Sequence, residues 1–127
     1  MDQPGPRQKE DRMNGQPAPP SPDLPFAEVV HVSDMVTYQP GSIVSRQLIK
    51  HSKGNVTLFA FDQSQGLSEH TAPFDALVHV LEGEVEITIS GKSMRARVGD
   101  MVLMPAHQPH ALAAVTPFKM LLTMVRS

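Results

Sequence analysis

The chain has 127 residues, 40% of them hydrophobic, and a formal net charge of -2 at pH 7. That suits one domain with one core, and it offers no positive field for nucleic acid or an anionic membrane surface. Cysteine is absent, which removes disulfides, thiolate metal ligands and a cysteine nucleophile. No apolar run approaches the ~18 residues of a membrane span, and residues 1–25 hold no apolar stretch of the signal-peptide kind. The expectation is a cytoplasmic protein that engages neither nucleic acid nor membrane.

Residues 1–25 carry seven of the twelve prolines, and apart from methionine their only aliphatic residue larger than alanine is Leu24. Such a segment cannot bury enough surface to offset its ordering entropy. It is expected to be a disordered, proline-rich tail ahead of one domain over 26–127. Val29, Val30 and Val32 suggest a first extended piece. Ser33 is placed to cap a single helical turn over 33–36, and Pro40-Gly41 marks a turn. Nine short strands are predicted after it, at 42–50, 55–62, 67–71, 76–81, 84–90, 93–98, 101–104, 110–115 and 118–125. Glycine, proline and polar residues divide them throughout. Strands of this length at this spacing read as an all-β sandwich or barrel.

Alternation supports half-buried strands. Val85, Ile87 and Ile89 share one face, while Glu84, Glu86 and Thr88 share the other. The turn at Ser90-Gly91-Lys92 leads into an antiparallel partner in which Met94, Ala96 and Val98 repeat the pattern. Residues 118–125 differ, being apolar on both faces. That suits a central strand, or one packed against a second subunit. Phe59 and Phe61 share a strand face and are expected in the core or at an interface.

Two blocks carry candidate chemistry. Residues 66–83 read Gly66-Leu-Ser-Glu-His70-Thr-Ala-Pro-Phe-Asp-Ala-Leu-Val-His79-Val-Leu-Glu-Gly83, and residues 99–110 read Gly99-Asp-Met-Val-Leu-Met-Pro105-Ala-His107-Gln-Pro-His110. Gly66, Gly83 and Gly99 fall where tight turns would need positive φ. Pro105 falls where a strand need not donate a ladder hydrogen bond. Together and in this order the blocks resemble the two signature motifs of the cupin family. The first has a glycine, His-x-His, a glutamate and a glycine. The second has a glycine, a proline six positions on, and a histidine five beyond that. The resemblance spans 66–114 directly and implies a cupin barrel, a double-stranded β-helix of jelly-roll type, over about 26–127. It also implies a homodimer.

The cupin pattern implies inward-pointing ligands at 70, 72, 76 and 110. This chain has His70, Ala72, Ala76 and His110, so two of the implied ligands are missing. A zinc or iron site built on imidazole and carboxylate normally takes three ligands or more. Candidates to complete a metal set with His70 and His110 are His79 and His107. His79 points away from the His70 face unless a bulge intervenes, and His107 lies in the 105–109 loop. Asp75 and Glu69 have the wrong parity. His31 and His51 lie outside both motifs and are assigned no role.

Two main readings follow. In the first, the barrel binds a small molecule, with His70 and His110 as polar anchors and Phe74 and Met104 in an apolar lining; Val78, Leu103 and Leu112 are further lining candidates. In this reading the metal site is reduced or absent. In the alternative, the protein is an oxygenase-type enzyme holding a divalent ion (iron, manganese, zinc or nickel) on His70, His110 and either His79 or His107. A barrel serving assembly alone is a third, duller reading. No nucleophile elbow and no phosphate-binding glycine loop is present. The sequence leaves open whether the protein is an enzyme.

Overall fold

The computed structural model describes residues 27–127. The tail expected over 1–25 lies outside the described residues. A 3-10 turn at Val32–Met35 precedes β1 (Ile43–His51), β2 (Gly54–Phe61), β3 (Gly66–His70), β4 (Asp75–Glu82), β5 (Glu84–Ile89), β6 (Lys92–Arg97), β7 (Met101–Met104), β8 (His110–Ala114) and β9 (Phe118–Val125). Each strand lies within one residue of its predicted ends. The order in one sheet is β1-β2-β9-β4-β7 and in the other β3-β8-β5-β6. All pairings are antiparallel. The two sheets face each other as a jelly-roll barrel.

Alternation decides which side chains enter. On β5, Val85 and Ile87 are fully buried. Glu84 faces outward and is held by Arg95 at 2.9 Å and Arg97 at 3.3 Å on β6. The Arg95 hydrogen bond, joined by Arg97, keeps the Glu84 carboxyl below its ordinary range. The core between the sheets centres on Phe61, Val78, Val80, Val85, Ile87 and Phe118. Phe61 packs against Phe118 at 4.9 Å between centroids, and against Phe59 at 5.9 Å. Both phenylalanines of β2 therefore belong to the core side.

β9 is a central strand, between β2 and β4. Its inward residues Phe118 and Met120 are fully buried. Its outward residue Leu121 packs in a second cluster with Leu48, Leu58, Ala60 and Val36, joined by Val32, Met35 and Tyr38. The chain ahead of β1 is thus a strap over the outside of the five-stranded sheet, which explains why β9 is apolar on both faces.

Polar contacts pin this strap. Lys119, only 8% exposed, donates from Nζ to the Ser33 carbonyl at 2.6 Å and lies 3.5 Å from Glu82 Oε2. Its ammonium sits 5.1 Å from the Tyr38 ring centroid, within cation–π range. Tyr38 donates its hydroxyl proton to Glu82 Oε1 at 2.9 Å. Ser33 is therefore not the cap of the helical turn. His31 occupies the N-cap position with no side-chain bond, and Ser33 serves through its carbonyl instead.

Two glycines hold tight places for different reasons. Gly83, between β4 and β5, has φ +77°, and a Cβ there would collide with the Pro117 carbonyl oxygen and lie 2.9 Å from Phe118 Cα. Gly66 corrects an expectation, since it is not among the positive-φ glycines. It sits in β3, where a Cβ would strike the Leu112 carbonyl oxygen of β8, so close strand approach excludes a side chain. Among the described residues no helix is long and apolar enough to cross a membrane.

Gly83→Ala should cost on the order of 3 kcal/mol or more in chemical denaturation, because backbone strain and a backbone clash coincide. Gly91→Ala, at φ +83° with open space around it, should cost only the conformational ~1–2 kcal/mol. Equal losses at the two positions would show that the Pro117 contact does not matter. The strap offers a second check. Burial first, then the hydrogen bond and negative charge of Glu82, raise the Tyr38 phenol well above its ordinary value. A raised value means that the contribution of the neutral phenol is complete below the ordinary tyrosine range and is lost as pH rises toward the folded-state value. Tyr38 is the only tyrosine and tryptophan is absent, so tyrosinate absorbance reports it alone. Its midpoint should lie above that of the unfolded chain and fall part-way in Glu82→Gln, where burial persists.

Candidate functional site

The site forms where β3 ends and β8 begins. His70 and His110 are direct register partners across this strand pair, and their ring centroids lie 4.3 Å apart with the planes at 65°. His70 is exposed at the rim, while His110 is 6% exposed. Each ring is oriented in the same way by its own strand. His70 Nδ1 lies 2.7 Å from the Ser68 carbonyl oxygen, and His110 Nδ1 lies 3.2 Å from that of Gln108. A carbonyl can only accept, so Nδ1 carries the proton in both rings. In the neutral imidazole that leaves Nε2 as the lone-pair nitrogen.

Both histidines open on a cavity of about 50 Å³. Leu67 and Leu112 flank them on the four-stranded sheet. The five-stranded sheet contributes Ala76, Met104, Met120, Leu122 and Met124, and Ala72 lies in the crossing between β3 and β4. One water needs about 10–15 Å³ on this measure, so there is room for a few waters, a small head group or an ion. A drug-sized pocket starts at roughly 300 Å³. Larger guests would need the methionines to rotate, which their unbranched side chains allow.

The structure brings together His70, His110, Met104 and Leu112 and separates the other candidates. Phe74 does not line the cavity. The chain leaves one sheet after His70 and joins the other at Asp75, so the strand parity assumed from 70 to 76 breaks. The Phe74 ring instead lies 5.3 Å from the Arg126 guanidinium. His79 stands in register with Met101 and Leu121, on the outer face of the five-stranded sheet. No bulge turns it inward, because the irregularity in β4 falls later, between Val80 and Glu82. His107 is exposed in its loop at φ +69°. Its amide donates to the Ala72 carbonyl at 2.8 Å, and the neighbouring Ala106 amide donates to Asp75 Oδ1 at 2.9 Å. Asp75 thus fastens the 105–109 loop to the start of β4. Leu103 points outward, 57% exposed, and Val78 lies in the core.

Nothing local in the sequence marks Met120 or Met124 as cavity residues. Their place on the cavity floor depends on β9 lying beside β4, and periodicity within a strand does not reveal its neighbours. Tested against iron, manganese, zinc or nickel, the donors do not fit. Two imidazoles and no carboxylate line the cavity, and among the described residues no three His, Asp or Glu side chains converge as such ions require.

Residues 57–125 match the cupin domain family. The chain is a cupin. A conserved protein of unknown function from Streptococcus pyogenes is 35% identical, with a TM-score of 0.80 over 83% of this chain and 92% of the other. A cupin superfamily protein from Desulfitobacterium hafniense is 26% identical, with a TM-score of 0.78 over 83% and 96%. A cupin 2 conserved barrel domain protein from Leptotrichia buccalis is 38% identical, with a TM-score of 0.72 over 74% of this cupin and 46% of that protein. No curated protein matches the chain. Both signature blocks lie in or beside the matched region, and this cupin departs from the family pattern at Ala72 and Ala76.

Proposed function

We propose that this cupin binds a small molecule in its barrel cavity, with His70 and His110 as the polar anchors. One observation carries the reading. His110 is buried, its Nδ1 is committed to a carbonyl, and its Nε2 has no hydrogen-bond partner among the described residues. Buried polar atoms ordinarily have partners, and here the neighbouring space is a cavity shared with His70. The ligand has a hydrogen-bond donor, or a cationic head, directed at the two Nε2 atoms. Its small apolar part rests against Met104, Met120 and Met124. Hydrogen-bonding to a paired imidazole edge supplies orientation, and the methionine side supplies contact area. The oxygenase-type alternative with a divalent ion lacks the ligands for it.

The reading is tested by titrating uniformly labelled protein with a library of small amphiphilic fragments while following the histidine side-chain resonances. His70 and His110 signals should move together, with His79 and His107 serving as internal controls. Fragments that bind only with movement at His79 or His107 would overturn the reading. So would a library that engages no histidine at all.

The same proposal includes a homodimer and a cytoplasmic setting, which the cysteine-free composition permits. Met101 and Leu103 are 55% and 57% exposed and project from β7, the edge of the five-stranded sheet. Apolar side chains on an edge strand favour pairing with another copy. Light scattering should give twice the chain mass for the native protein and a shift toward monomer for Leu103→Glu. A native protein that is monomeric at micromolar concentration would refute the dimer.

A further inference from the structure

The cavity is poor in oxygen donors and rich in sulfur. Met104 and Met124 are each register partners of Ala76, one on either side of β4. The alanine methyl therefore leaves a gap between two thioether side chains. Met120, fully buried, reaches the same cavity from two inward positions farther along β9, past Leu122. Facing them are His70 and His110, whose Nδ1 protons are already committed.

We propose that this gap is a soft-metal site for copper(I), held by Nε2 of His70 and His110 and by the thioether sulfur of Met104 or Met124. The inference rests on the cavity reading above and makes the cation the polar anchor of that cavity. Thioether donors favour copper(I), which imidazole also accepts, over the harder divalent ions that prefer carboxylate and water. Charge points the same way. Born cost grows as the square of the charge, so a univalent ion enters a carboxylate-free cavity at about a quarter of the cost of a divalent one. The hydrogen bonds behind the rings also fit, since each imidazole donates its other ring proton to a backbone carbonyl, as metal-bound histidines do. Two imidazoles sharing one ion at a tetrahedral angle would have centroids roughly 5 Å apart, given metal–nitrogen bonds of about 2.0 Å. The observed centroids are 4.3 Å apart, so the two rings would have to part by somewhat under about 1 Å to share an ion in that geometry. The exposed edge at His70 provides the entry path. Binding involves no change of oxidation state.

The test is an anaerobic titration of tag-free protein with copper(I) against a chromogenic copper(I) chelator, joined to X-ray absorption of the loaded protein. One equivalent should be retained, with both nitrogen and sulfur in the copper shell, and zinc(II) should be held more weakly. The double variant Met104→Leu, Met124→Leu conserves volume closely and should keep the native thermal midpoint. It should lose roughly tenfold to a hundredfold in copper(I) affinity, or more, because removal of a mere supporting residue already costs that much at other metal sites. Retention below one equivalent, a shell without sulfur, or a leucine variant that binds like the native protein would each overturn the proposal. If copper(I) is not retained while fragments still engage His70 and His110 in the metal-free protein, the copper site falls and the cavity reading stands. If copper(I) is retained in a mixed shell while no fragment engages the metal-free protein, the copper site stands and the small-molecule reading falls.

Discussion

Burial of β9 on both of its faces is the constraint on which this molecule is built. One face supplies Phe118 and Met120 to the space between the sheets, along with Leu122 and Met124 at the cavity end. The other supplies Leu121 to the cluster under the strap and Lys119 to its polar anchor. A strand with one wet face would need neither the strap nor the buried lysine. Here the outer apolar surface has to be covered, and the chain preceding β1 covers it. Desolvating an ammonium is costly unless it is well partnered. Lys119 meets this with a carbonyl, a carboxylate and an aromatic face.

The site depends on a change of sheet. Between His70 and Asp75 the chain passes from the four-stranded sheet to the five-stranded one, so one short segment contributes to both walls of the cavity. His70 is left on one wall and Ala76 is carried to the other. The second block does the reverse, with Met104 ending on the five-stranded wall and His110 beginning the opposite one. Two crossings, joined by the Ala106–Asp75 and His107–Ala72 hydrogen bonds, close that end of the barrel.

This geometry separates what was legible in the sequence from what was not. The strands were legible because alternation in segments such as 84–89 is a local signal, and turn residues divide every one of them. His70 and His110 were legible as a pair because each sits in a motif whose spacing sets its strand position. Phe74 was misplaced because parity counts only while a chain remains extended in one sheet. Gly66 was assigned a turn conformation, whereas its constraint is a neighbouring backbone that lies 46 residues ahead at Leu112. The methionines of β7 and β9 that flank Ala76 of β4 and the Lys119–Glu82–Tyr38 cluster are products of strand order. No window of consecutive residues contains strand order.

Lys119 and Met120 are successive residues, one gripping the strap and the other flooring the cavity. Strap and cavity, on opposite faces of one sheet, are therefore linked through a single peptide unit. Sliding β9 along its own axis would unseat both at once, and a tug on the backbone near Ser33 becomes a strain on the floor of the pocket. In mechanical terms the exterior belt and the interior hollow are two ends of one lever, with the sheet as its fulcrum.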